Sequence, residues 1–535
     1  MIEKVLKSPL SAAVKAWERE RNPVAPFGLV GRLTTNPEKV RKMMLDQPVP
    51  RKGIYPSDIY HHHFLMVWDD APQTDSFEAA YELISGELRA TRSEGALEAR
   101  SRDLTISSGL SSFDKLTRLF FPFLNTQEQR LQLQNAREVY PFSWKIPSEE
   151  RILYSFGIMD SNVKIILESI ARQGLIPRDQ VPFLAYKAHR ILAMLLKSND
   201  YYFTQYINNT LIHYLHGRVI ELLIGSQRYG SYRANPEHLK QFQRFNDVAL
   251  LLLRQLLTEK DLNIGREISA MGLALEIMAG TTWWHKICGP LESGRFDEVP
   301  RSLDQGHVLR RHFEGESLSP ESLFLMNDFP ELLLDIEEKA QGGPGPRVVF
   351  MLDDVGEAVF HFNFIQKFMT QYPALIGSVW VGRIPIENNI WENEANRLIE
   401  NPYFAGLNQY RRQGRFSIYG YRSPLMSPDV RFLTPAERKT LIRAEAVVVF
   451  GANFTETVQM REANTYYFNV PWSLTAAQVA GYDVNDMRGK CYIVHAPRGA
   501  LAYEYDYEKE RFITIRETWE KRRINKLEIL PQIGG

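Results

Sequence analysis

The sequence predicts an α/β fold whose sheet is mostly parallel and flanked by helices, preceded by a large helical domain. After residue 345, apolar runs typical of strands alternate with helical patterns, as in βαβ units. Before residue 340, apolar residues recur at three- and four-residue spacing, which predicts helices. The segment Gln-Gly-Gly-Pro-Gly-Pro at 341–346 separates the two patterns, because it fits neither a helix nor a central strand. The predicted sheet is therefore Rossmann-like.

Four parts follow from these patterns. Residues 1–145 are predicted to be an irregular, mostly helical region packed on the rest, and 146–340 a helical domain. Residues 345–505 are predicted to form the α/β domain, and 506–535 a charged C-terminal extension. The helical pattern is clearest at 183–196, 202–224, 238–257 and 267–278. Strands are predicted at 348–352, 377–381, 415–419, 446–450 and 490–495.

Composition narrows the class of protein. The 64 Lys and Arg residues balance 64 Asp and Glu, so no net field draws the chain to nucleic acid or to an anionic membrane. Two cysteines cannot build a disulfide framework or a four-thiolate zinc site, which favours a reducing compartment. The longest aliphatic run, Val248–Leu253, is too short to span a membrane. We expect a soluble, cytoplasmic protein, and the sequence leaves its oligomeric state open.

The most informative stretch is the acidic segment that follows the first strand of the α/β domain. An apolar run ends at Leu352 and is followed by Asp353, Asp354 and, after Val-Gly, Glu357. Ligands of open α/β sheets bind just beyond the carboxyl ends of the strands. Two adjacent carboxylates there repel each other unless a cation neutralises them. The pattern therefore indicates a divalent metal site, although capping of the next helix is about as good an explanation for Asp353 and slightly better for Asp354.

Other strand ends of the parallel sheet carry polar residues that are candidates to join this site. After the second strand come Arg383, Asn388 and Asn389, after the fourth Gly451 and Asn453, and at the last Lys490. Carboxylate and amide oxygens together form the kind of cage that suits Mg²⁺ or Mn²⁺. A glycine at a strand end lets the backbone approach a ligand closely.

The sequence lacks a residue that each of two familiar phosphoryl-transfer classes requires. A haloacid-dehalogenase phosphatase needs a second acid two residues after its nucleophile, whereas Val355 and Gly356 follow the acidic pair here. A phosphorelay receiver needs an aspartate at the end of a later strand, where this chain has Phe450 and Gly451. Neither class explains the acidic pair.

Over roughly residues 345–505, the ordered set of motifs resembles the metal-dependent damage-control phosphatase family, formerly a domain of unknown function and also described as acidic-residue methyltransferase-like. The family's Asp-Asn-Ala-Gly-Glu, Pro-Ile-Leu-Asn-Asp, acid-Ala, strand-Lys-Gly-x-Asn and Lys-Cys motifs correspond in order to segments of this chain. They are Asp353-Asp-Val-Gly-Glu357, Pro385-Ile-Glu-Asn-Asn389, Glu394-Ala395, Val447-Val-Val-Phe-Gly-Ala-Asn453 and Lys490-Cys491. The chain would be a divergent member.

The resemblance implies a metal centre on Asp353, Asp354 and Asn389, which would also be the catalytic residues, with Mn, Co, Ni or Mg as the metal. At these positions the family has Asp, Asn and Asp, so this chain exchanges an acid for an amide and keeps the ligand charge. The family's phosphate-contacting lysine is replaced by Phe450, and phenylalanine cannot supply a charge.

The implied substrate-binding residues are Asn388, Asn453, Gly451, Arg383, Lys490 and Glu357, and Arg383 or Lys490 would have to replace the missing lysine. The implied activity is that of a metal-dependent hydrolase, a phosphatase for a small phosphorylated metabolite. Two alternatives stay open: a metalloenzyme of the same scaffold for a non-phosphorylated polar metabolite, and a non-catalytic binding or regulatory protein.

Overall fold

The structure is a computed structural model. It describes residues 71–93 except 73 and 75, 110–124, 163, 166–197, 209–258, 324–341, 345–386, 389–469, 480–482, 490–506 and 511–533. The chain divides into two compact units, Met1–Asn235 and Pro236–Gly535. The four-part organisation anticipated from the sequence stays a prediction. Within the described ranges, no helix has the length and apolar character needed to cross a membrane.

The described residues of the first unit are mainly helical. Its described helices are α1 (Phe77–Ser93), α2 (Ser112–Phe120), α3 (Val181–Lys197), α4 (Asn209–Ile224) and α5 (Ser226–Arg233). The side chain of Ser111 caps α2 by accepting the Asp114 N–H at 3.1 Å, which satisfies one free donor of the first turn. Helices α1 and α3 are joined by Glu87, whose carboxylate accepts from Lys187 at 2.8 Å and from Arg190 at 3.1 Å.

The second unit contains a helix ahead of an α/β sheet. Its helices are α6 (Pro236–Thr258), α7 (Phe329–Ala340), α8 (Glu357–Gln371), α9 (Glu392–Ile399), α10 (Ala405–Arg412), α11 (Pro435–Arg443), α12 (Ala452–Thr457) and α13 (Ile515–Ile533). Its strands are β1 (Phe324–Asn327), β2 (Arg347–Met351), β3 (Ile376–Gly382), β4 (Phe416–Tyr421), β5 (Ala446–Phe450), β6 (Thr465–Asn469), β7 (Cys491–Ala496), β8 (Glu504–Asp506) and β9 (Arg511–Ile513). Strands β8 and β9 form a separate antiparallel pair.

The main sheet has seven strands in the order β1-β7-β6-β5-β2-β3-β4. The five strands from β6 to β4 are parallel, β7 runs antiparallel to β6, and β1 runs parallel to β7. Strand β5 is buried along its whole length, as expected for a central strand covered on both faces. The predicted fold class, a mostly parallel sheet with flanking helices, is confirmed.

All five predicted strands are present, with ends within two residues of the prediction. The predicted helices at 183–196 and 238–257 correspond to α3 and α6, and the described part of the one at 202–224 is α4. The predicted helix at 267–278 lies outside the described residues. Strands β1 and β6 were not predicted: β1 has only four residues, and β6 is the aromatic run Thr-Tyr-Tyr-Phe-Asn.

The strand order places a topological switch point beside β2. From β2 the chain continues to β3 on one side, and it later returns to form β5 on the other side. At such a point the connections leave the sheet in opposite directions, so a crevice opens at the carboxyl ends of the two central strands. The residues that follow β2 and β5 therefore lie at the switch point of this sheet.

Candidate functional site

The acidic segment 353–357 is anchored on both sides by backbone hydrogen bonds. The Leu352 N–H donates to the Trp380 carbonyl at 3.1 Å, and the Ile390 N–H donates to the Asp353 carbonyl at 2.9 Å. Helix α8 then begins, with Gly356 as its N-cap residue at a φ of 82°. Glycine and not an aspartate therefore occupies the N-cap position.

Asp353 and Asn389 converge, as the metal-site hypothesis requires. Both side chains are 3% exposed. The Asn389 amide nitrogen donates to Asp353 Oδ1 at 2.7 Å and to the Met426 carbonyl at 2.9 Å. Asp354 and Asn389 also form a short antiparallel backbone bridge. The three predicted ligands thus come from two adjoining segments.

Gly451, at the end of β5, lies directly against the Asp353 side chain. A Cβ atom at this position would be 2.7 Å from Asp353 Cβ and 2.9 Å from its Cγ, and closer still to Oδ2. Gly451 has a φ of 92° and a ψ of 157°, a region that only glycine adopts readily. The sequence predicted that this glycine admits a ligand. In the structure its immediate neighbour is the Asp353 carboxylate.

The donor set can accept a cation if the amide of Asn389 turns. In the present orientation its nitrogen faces Asp353, while Oδ1 is buried and has no hydrogen bond from the described residues. Rotation of the amide would bring an oxygen toward Asp353, and amide oxygens are good ligands for hard divalent cations. Within the described ranges, no three His, Cys, Asp or Glu side chains are arranged to hold a metal ion. A cation here would depend on the amide oxygen as well as the carboxylates.

Burial and the negative charge of Asp353 raise the pKa values of two groups at the site. Glu357, half-buried in the first turn of α8, has its pKa raised from 4.5 to about 8 by burial and then by the nearby Asp353 carboxylate. Burial and, to a smaller extent, the Asp353 charge also raise the pKa of the Tyr421 hydroxyl well above its ordinary range. A bound cation would oppose the repulsion that contributes to both shifts.

We expect the free energy of unfolding of the Glu357→Gln variant to depend less on pH than that of the wild-type protein. A carboxyl group with a raised folded-state pKa stabilises the protein below its unfolded pKa, and this contribution disappears as pH rises from about 4.5 to about 8. For this half-buried group the loss should be about 2 kcal/mol. Urea unfolding of the metal-free protein between pH 5 and pH 9 measures it. Equal slopes of stability against pH in the two proteins would contradict the prediction.

Phe450, which stands where the resembled family has a phosphate-contacting lysine, belongs to the core. It is fully buried and stacks on His361, with ring centroids 4.2 Å apart and planes 19° apart. Burial lowers the pKa of His361 to about 3, so this histidine is neutral at physiological pH. Helix α8 carries His361 one turn after Glu357. Position 450 and its neighbour on α8 therefore form an uncharged aromatic pair.

Of the remaining predicted residues, the structure describes Arg383 and Lys490. Arg383 is exposed just after β3. Lys490 is half-buried before β7, whose amino end pairs with the carboxyl end of β6 and so reaches the same edge. Asn453 is the second residue of α12, but its side chain, like the whole of Asn388, lies outside what the structure describes.

No protein-family model and no curated protein matches this sequence. Among solved structures, the chain is similar to a DUF89 family protein from Pyrococcus horikoshii, with 13% identity and a TM-score of 0.38. The match covers 63% of this chain and 93% of the other chain. At this level of likeness, the function has to be argued from the residues of the site.

Several groups around Asp353 were missed by the sequence reasoning. Tyr421 donates its hydroxyl to the Met426 carbonyl, the same carbonyl that accepts from Asn389. The buried amide of Asn246, on α6, accepts the Gly356 N–H at 2.6 Å. The four-residue spacing of Glu357 and His361 could have indicated His361. No sequence signal identifies a backbone carbonyl or a distant amide.

Proposed function

We propose that this chain binds a divalent cation at Asp353, Asp354 and Asn389 and is a metal-dependent hydrolase, with phosphatase activity on a small phosphorylated metabolite. The observation that carries the proposal is the convergence of Asp353 and Asn389 at the switch point of the sheet, where Asn389 Nδ2 lies 2.7 Å from Asp353 Oδ1. Mn²⁺, Co²⁺, Ni²⁺ and Mg²⁺ are the candidate ions, because the donors are oxygens.

Each residue of the site has a separable task. Asp353 and Asp354 supply negative charge at the end of β2. The Asn389 amide donates to Asp353 in the metal-free protein and, once turned, would present its oxygen to the cation. A divalent cation, when bound, would polarise a phosphoryl group and lower the pKa of a water molecule. In the metal-free protein, burial and the Asp353 charge raise the pKa of Glu357 to about 8, so its carboxyl group can hold a proton near neutral pH.

Phe450 favours a second candidate. Since this side chain is fully buried and uncharged, a phosphate would have to be contacted from elsewhere, by Lys490 or Arg383. A metalloenzyme of the same scaffold that acts on a non-phosphorylated polar metabolite needs no such contact. A screen of matched phosphorylated and non-phosphorylated metabolites separates these two candidates, and the absence of any metal affinity would favour a non-catalytic binding or regulatory protein.

The Asp353→Asn variant tests the proposed phosphatase. We expect wild-type protein to hydrolyse an aryl phosphate only with added Mn²⁺, Co²⁺, Ni²⁺ or Mg²⁺, and the variant to be at least about 100-fold slower, because an isosteric amide removes the buried charge that holds the ion. The control is Glu338→Gln, which removes an exposed carboxylate on α7. Hydrolysis that is independent of metal, or equal in wild type and Asp353→Asn, would refute the proposal.

A further inference from the structure

One buried amide connects the two segments that carry the candidate ligands. Asn246 lies on α6 and is completely buried. Its Oδ1 accepts the Gly356 N–H at 2.6 Å, and its Nδ2 donates to Glu394 Oε1 at 2.7 Å. The orientation of the amide is fixed by chemistry, because one partner can only donate and a carboxylate oxygen favours a donor. Asn246 belongs to none of the sequence motifs described above.

The acceptor of this amide is itself held in place. Glu394 is 1% exposed, and Arg397 donates to its two oxygens at 2.6 and 2.8 Å. The hydrogen bond to Glu394 is the main cause that raises the pKa of Arg397. Arg397 also reaches the exposed Asp247 at 3.2 Å. A buried carboxylate with a cationic partner and several hydrogen bonds is a rigid anchor.

The oxygen and the nitrogen of the Asn246 amide bind two different segments of the candidate site, one at Gly356 and the other at Glu394. Gly356 has a positive φ and precedes α8, so its N–H is a donor at a helix start that needs a partner outside the helix. Fixing this peptide fixes the direction in which the chain turns after Asp354. Glu394 lies in the first turn of α9, five residues after Asn389. The same helix α6 also packs Phe242 edge-on against Trp391, with ring centroids 6.0 Å apart.

We propose that Asn246 is a positioning residue, which sets the separation of Asp353 and Asn389 and thereby the affinity of the site for a divalent cation. This inference rests on the proposed function. Asn246 does not touch the cation in this proposal. It acts through the Gly356 peptide on one side and through Glu394 on the other. Supporting contacts of this kind typically change metal affinity by about 10- to 100-fold when they are removed.

The test is a double-mutant cycle in the full-length protein. The Asn246→Asp variant keeps the acceptor for the Gly356 N–H. Its second carboxylate oxygen would face the Glu394 carboxylate, and repulsion would break the connection between the Gly356 and Glu394 segments. Glu394→Gln added to Asn246→Asp restores a donor and an acceptor with reversed polarity. We expect Asn246→Asp to weaken Mn²⁺ binding about 10-fold in calorimetric titration, and the double variant to recover most of the loss. Glu338→Gln, which removes an exposed carboxylate on α7, is the control and should bind as wild type.

A second readout works without metal. Amide hydrogen exchange across residues 353–358 should be faster in metal-free Asn246→Asp than in wild type, and should return toward wild type in the double variant. Wild-type exchange and wild-type Mn²⁺ affinity in Asn246→Asp would overturn the inference, as would a loss of affinity that the double variant fails to rescue. If wild-type protein binds no Mn²⁺, the proposed function fails, and the positioning of the acidic segment is still decided by exchange.

Discussion

The Gly451→Ala variant should be destabilised by about 3 kcal/mol or more, from backbone strain together with overpacking. The backbone at Gly451 has a φ of 92° and a ψ of 157°, where a side chain is strained. The new methyl group would also lie 2.7 Å from Asp353 Cβ, inside a central part of the sheet that has no room to relax. Urea or thermal unfolding measures the loss, and Mn²⁺ affinity should fall with it, because the Asp353 carboxylate must move.

Gly499 supplies the matched control for this change. It has a φ of 91°, close to that of Gly451, but a Cβ atom there would meet nothing within 4 Å. The Gly499→Ala variant therefore carries a strain of similar origin without the clash, and should cost about 1 kcal/mol. If the two variants were equally destabilised, the close approach of Asp353 to Gly451 would have no energetic weight.

The sequence predicted the sheet well because its central strands are continuous apolar runs with clear boundaries. The run at 446–450 is buried on both faces and matches its prediction residue for residue. Strand β1 was missed because four residues are too few to establish a period, and the helical pattern of α7 follows it directly. Strand order was not readable either, because the sequence shows which segments are strands but not which strands are neighbours.

The candidate site, too, could be predicted only in part from the sequence. Asp353, Asp354 and Glu357 could be predicted because they directly follow a strand, and parallel strands share the edge at which their polar residues gather. The contributions of Met426 and Asn246 could not be predicted. The first is a backbone carbonyl, which every residue possesses, and the second is an amide 110 positions before its partner Gly356. Long-range polar contacts of this kind leave no periodic trace in a sequence.

Phe450 shows the limit of reasoning from a motif. Its identity excluded a lysine at that position, but only the packing shows that the ring is fully buried and stacked on a neutral His361. Introducing a lysine at this position would bury a charge without a partner, which costs several kcal/mol. A lysine at position 450 would therefore require further changes in the surrounding core.

The Asn389→Asp variant should bind Mn²⁺ at least about 10-fold more tightly than wild type, because ligand charge raises affinity for hard divalent cations. In the metal-free protein, the amide that now donates to Asp353 at 2.7 Å would be replaced by a second carboxylate at hydrogen-bond distance. Repulsion between the two should lower metal-free stability by about 2 kcal/mol at pH 7. A bound cation removes that repulsion, so the variant should gain more stability from metal than wild type does.

Thermal unfolding with EDTA and with a series of Mn²⁺ concentrations tests both halves of this prediction. The metal-free defect of Asn389→Asp should shrink as pH falls below about 5, where one carboxyl group of the pair becomes protonated. Adding Asp354→Asn restores the Asp, Asn and Asp arrangement of the resembled family and returns the ligand charge to its wild-type value. The double variant should therefore bind Mn²⁺ less tightly than Asn389→Asp alone. A single variant that is stabilised by Mn²⁺ no more than wild type would show that Asn389 does not face a cation, and that its hydrogen bonds to Asp353 and Met426 are its whole role.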